Sequence, residues 1–69
     1  MKFSDALIRA EQWVHEIYGV EQVAEGIEGG EPYITVFVSS KEATQRLPDR
    51  LGPWRIVIEG VHADRDGPR

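Results

Sequence analysis

The sequence predicts an α+β fold: a two-layer sandwich of αββαβ order, with a three-stranded mixed sheet and two helices on one face. Three observations carry that reading. Apolar side chains recur at helical spacing over the first 18 residues, residues 20–38 hold two short strand-like stretches joined through Gly29-Gly30-Glu31-Pro32, and 15 residues, Ser39 to Pro53, precede a third stretch at Trp54–Glu59. A polar connection of that length suits a crossover helix between parallel strands better than a hairpin.

Each element follows from its residues. Phe3, Ala6, Leu7, Ala10, Trp13, Val14 and Ile17 lie at i, i+3, i+4, i+7 spacing, one stripe on a helix of about four turns. Ser4 is its predicted N-cap, Asp5 suits the positive end of the dipole, and Gly19 is the stop after Tyr18. A stripe that includes a tryptophan must be covered, and a sheet can do it. VEQVAEGIE, residues 20–28, places Val23, Glu25 and Ile27 on one face and Ala24 and Gly26 on the other, too polar a pattern for any but an edge strand. Gly29 to Pro32 form the turn, since glycine accepts positive φ. Tyr33–Val38 is the most apolar run and reads as the central strand, giving strand order 1-2-3. An order 2-1-3, with the third strand antiparallel to the first, would make a split β-α-β and is the alternative.

Ser39 followed by Glu42 has the form of a capping box, so a helix is expected to start there. Pro48 cannot continue it and is read as opening a second short turn through Asp49 and Arg50 to Leu51, with Gly52 and Pro53 as stops. Ala43, Leu47 and Leu51 supply the buried side of this crossover. In the last strand Trp54, Ile56 and Ile58 share one face, and Arg55, Val57 and Glu59 the other. The domain is expected to span residues 1–61, and the charged residues 62–69, with Gly67 and Pro68, to be a disordered tail.

Composition narrows the function classes. A chain of 69 residues has apolar area for one core only. Cysteine is absent, so disulfides and thiolate metal sites play no part, which fits a reducing cytoplasm. Asp5, Arg9 and Glu11 interrupt what would be the apolar region of a signal peptide, and no apolar run nears the roughly 20 residues of a membrane span. A cytoplasmic protein without membrane contact is expected. The formal charge is −4, and residues 10–40 hold six glutamates with no lysine or arginine. Lys41, Arg46, Arg50 and Arg55 form one basic grouping beside Trp54, but Glu42, Asp49 and Glu59 cancel most of its field. Nucleic acid is therefore not an expected partner.

No catalytic, cofactor-binding or metal-ligating set is legible, and the chain is not expected to be an enzyme. Two of the three serines, Ser4 and Ser39, are explained as caps, and none has a predicted base beside it. His15 and Glu11 lie one helical turn apart, but zinc wants three or four ligands and His62 falls in the tail. Glu21 and Glu25 on one strand stand about 13 Å apart, too far for a glycosidase-type pair. Gly26, Gly29 and Gly30 do not open into a helix, as a phosphate cradle requires.

Two surfaces remain. If both helices cover the face bearing Ile34, Val36, Val38, Ile56 and Ile58, then Tyr33, Thr35, Phe37 and Val57 stand on an uncovered face, which predicts a protein partner or self-association. The second surface is an acidic patch, Glu21, Glu25, Glu28 and Glu31, suited to a basic peptide or small molecule. From Gly19 onward, Val23, Ala24, Gly26 and Ile27, then Ile34, Val36 and Val38, then Leu47, Pro48 and Leu51, then Val57 and Gly60, form a pattern. It resembles a small module found ahead of trypsin-like serine protease domains in bacteria. The resemblance implies the αββαβ order. It implies no activity, because the protease Ser, His and Asp have no counterpart in these residues.

Overall fold

The structure, a computed structural model, describes residues 1–60; the tail expected at 62–69 lies outside the described residues. The N-terminal stripe folds as α1 (Phe3–Glu11) and α2 (Trp13–Glu16), one helical body with a break at Gln12. The Gln12 amide donates to the Arg9 carbonyl at 3.2 Å, three residues back instead of four. Arg9 spans the break by pairing with Glu16 at 3.2 Å. The helix starts one residue before the predicted cap: Lys2 holds the N-cap position with no side-chain hydrogen bond, and Ser4 lies inside the first turn. It also ends before Tyr18, because Ile17 is already extended at φ −120°.

Strand β1 (Val20–Glu28) and strand β2 (Glu31–Val38) form an antiparallel hairpin. Gly29 and Gly30 take φ of 61° and 85°, so two residues suffice for the turn and Glu31 and Pro32 belong to the strand. After helix α3 (Lys41–Arg46) come β3 (Arg50–Leu51) and β4 (Trp54–Gly60). Strand β4 runs parallel to β2, and the sheet order is β1-β2-β4-β3, so the long strands follow the order 1-2-3.

Among the described residues the sheet thus has four strands where three were expected. Residues 50–51, read as part of a helical turn, instead pair antiparallel with Arg55 and Trp54, and the Ile56 amide donates to the Asp49 carbonyl at 2.9 Å. A four-residue helix has no nucleation advantage, whereas an extended segment satisfies the free edge of β4. The cap of α3 also differs by one residue. Ser40, not Ser39, holds the N-cap, its Oγ accepting from the Ala43 amide at 3.2 Å. Ser39 instead donates to Glu21 Oε2 at 2.8 Å. Ser40→Ala is therefore expected to cost about 1 kcal/mol, and Ser39→Ala less, in chemical denaturation.

All helices share one face. Ala6, Ala10, Trp13, Ala43 and Leu47 form one buried cluster with Val20, Ile34, Val36, Val38 and Ile56, which point to the same side of the strands. Ile34 and Val36 are fully buried. The three alanines, each without accessible surface, let helix backbone approach the sheet closely. Trp54 closes one end: its ring meets Phe3 edge-on at 5.2 Å, and its Nε1 donates to the Met1 carbonyl at 2.9 Å. The body is only 15 Å thick along its short axis, so the described residues form two layers.

Candidate functional site

Alternation along β2 decides what the other face carries. With Ile34, Val36 and Val38 under the helices, Tyr33, Thr35 and Phe37 must point the opposite way. Register extends each into a row across the sheet. Gln22, Phe37 and Glu59 make one end row, Ala24, Thr35 and Val57 the middle row, and Gly26 with Tyr33 the other end, where Arg55 lies on β4. No described element lies over these rows. Thr35 is nevertheless only 9% exposed, sunk among its neighbours, while Phe37 keeps 37% of its surface in solvent.

The Tyr33 end is closed by the side chains themselves. The Tyr33 ring lies across Gly26, where a Cβ would stand 2.5 to 2.7 Å from ring carbons and the hydroxyl. Only glycine leaves that space. The Arg55 guanidinium sits 5.1 Å from the ring centroid and donates to Glu28 on β1. One bridge, Glu28–Arg55–Tyr33, therefore ties three strands together. Both charged side chains are at least half exposed, so the pair holds geometry more than it adds stability. Beyond it a shallow cleft of about 600 Å³ is lined by Glu31, Arg50 and Trp54, among others. Arg50 and Arg55 are cross-strand neighbours, an unfavourable like-charge pair relieved by Glu28 on one and by the Pro53 carbonyl on the other.

Of the four glutamates of the predicted acidic patch, Glu28 and Glu31 are partners across the turn, while Glu21 and Glu25 lie elsewhere along β1. Glu21 sits at the far end of β1, bonded to Ser39. Glu25 pairs in register with Ile34 and so lies on the helix side of the sheet. Glu28 and Glu31 flank the turn, and Glu28 is neutralised by Arg55. Glu11 and His15 fall on either side of the Gln12 break, both exposed, with no hydrogen bond or ion pair between them. Among the described residues no three His, Cys, Asp or Glu side chains come together as a metal site. No helix among them is long and apolar enough to cross a membrane.

The bridge at Tyr33 and the Ser39–Glu21 bond were not anticipated from sequence. Gly26 inside a strand was the available signal for the first, since a strand glycine often marks a close approach. Compared with protein families, with curated proteins and with solved structures, the chain has no significant match.

Proposed function

We propose that this chain is a non-enzymatic interaction domain that pairs with a second copy of itself through the open face of its sheet. The observation that carries the reading is Phe37, 37% exposed, beside the half-buried Ala24 and Val57 on a sheet face that no described element covers. The opposite side supports the same conclusion. Among the described residues its buried apolar set has ten members, three of them alanine, so a layer added on the open face gains burial that the monomer lacks. Polar groups, Gln22, Glu59 and the Glu28–Arg55 pair, ring the apolar middle as a rim.

Magnitude sets the strength. Three strands about 4.8 Å apart and about eight residues long present on the order of 370 Å², well below the ~800 Å² per partner of a standard stable interface. Association is accordingly weak, on the order of 1–100 μM. A dilution series followed by two-dimensional amide NMR tests this: the amides of Ala24, Thr35, Phe37 and Val57 are expected to shift together, while those of α1 stay fixed. Shifts confined to the helices would place association elsewhere.

A further inference from the structure

The open face has a polarity along its strands that restricts how two copies can meet. Glu59 stands in one end row, without an ion pair among the described residues, and Arg55 stands four residues away on the same strand and the same face, with Arg50 beside it. The aromatic residues are divided likewise, Phe37 at the Glu59 end and Tyr33 at the Arg55 end. The middle row of Ala24, Thr35 and Val57 lies between them.

Two symmetric ways of stacking the face on itself follow. A two-fold axis parallel to the strands keeps the ends together and exchanges the edges: Phe37 faces the partner's Phe37, and Glu59 faces the partner's Gln22, leaving the carboxylate without a cation. An axis across the strands keeps each strand over its own counterpart and exchanges the ends. Glu59 then faces the partner's Arg55 and Arg50, Phe37 faces the partner's Tyr33, and Gln22 lies over the low ground at the partner's Gly26. Each contact occurs twice, as an isologous interface requires.

Resting on the self-pairing above, we infer that the two copies stack with their strands antiparallel across the interface, and that Glu59 selects this orientation by meeting the arginine end of its partner. The Arg55 guanidinium serves two carboxylates there, its own Glu28 and the partner's Glu59, with Tyr33 beneath it. Stacked sheets tolerate the accompanying rotation, because aligned sheets cross at about −30° in any case. Charge complementarity of this kind fixes register more than it adds affinity.

The absence of cysteine makes the test direct, since one introduced thiol takes a nitroxide label without competition. Glu31, exposed beside the turn, lies four residues from Thr35 on β2. With the ends exchanged, labels on Glu31→Cys are expected about 28 Å apart in the pair, whereas an axis along the strands puts them about 10 Å apart. Pulsed dipolar spectroscopy on the full chain reads the first, and broadening of the continuous-wave spectrum reads the second. Glu59→Arg is expected to weaken pairing about tenfold, by opposing two like charges twice per dimer. Thr35→Lys, with Phe37→Glu as a second variant should the first fail to fold, is the control that separates the two levels. Coupling near 28 Å that these variants abolish supports the orientation. Short-range broadening that they abolish overturns the orientation and leaves the pairing intact. Coupling that survives them, or no coupling at high micromolar concentration, overturns both.

Discussion

Trp13→Ala is expected to leave the chain largely unfolded at 25 °C. Trp13 is 5% exposed and sits at the helical break, on the buried cluster that joins the first helical body to the sheet. Truncating a buried tryptophan costs about 3–5 kcal/mol through lost burial and the cavity left behind. A single core of this size rarely supplies more than about 3–5 kcal/mol in total, so one substitution consumes the whole margin. Ala6 and Ala10, whose side chains are single methyl groups, cannot reach into the space. Far-UV circular dichroism with a urea titration measures the loss. Retained helix signal and a cost below about 1 kcal/mol would mean that the first helical body is held by something other than this residue.

Gly19→Ala is expected to be the most damaging glycine substitution among the turns. Gly19 has φ +100°, where an added Cβ costs about 1–2 kcal/mol in backbone strain alone. The same Cβ would clash with Ser40 Oγ and stand 3.0 Å from Ala43 Cβ, so it disturbs the cap of α3 as well. The Gly19 carbonyl also accepts from the Ser39 amide at 2.7 Å, tying the start of the hairpin to the end of β2. Strain and cap together amount to about 2–3 kcal/mol, a fall in melting temperature of about 10 °C or more for a domain this small. Gly29→Ala is the comparison, since Gly29 has φ 61° but nothing within 4 Å of the added Cβ. It should lose only the backbone part. Equal losses at the two positions would show that the junction between Gly19 and α3 is loose.

What the sequence made legible follows a physical pattern. The order of the long strands was readable because a strand flanked by neighbours on both edges tends to be the most apolar, and Tyr33–Val38 is the most apolar run. The residues of the open face follow from the same strand by alternation. The fourth strand was not readable: two residues, Arg50 and Leu51, are too short to show a period, and the Pro48 and Gly52-Pro53 signals around them serve a hairpin as well as a helical turn. The cap of α3 slipped by one residue because Ser39 and Ser40 are equivalent until tertiary contacts give one of them to Glu21. Gln12 breaks the first helix without any residue of poor helix propensity, so only the hydrogen bond to Arg9 reveals it.

The acidic surface teaches a related lesson. Glutamates counted along the chain become a patch only if the backbone brings them to one face. Here the alternation of β1 puts Glu25 on the helix side, and Glu21 and Glu28 are taken by Ser39 and Arg55 at opposite ends of the strand. The bridge from Glu28 through Arg55 to Tyr33 depends on the register of three strands at once, information that no local window contains.

Sedimentation equilibrium over low to high micromolar concentration bears most directly on the self-pairing claim. The weight-average mass of the wild-type chain is expected to climb from 7.8 kDa toward twice that value, while Thr35→Lys and Phe37→Glu stay at the monomer mass. A wild-type mass that remains at 7.8 kDa across the whole range would contradict the account.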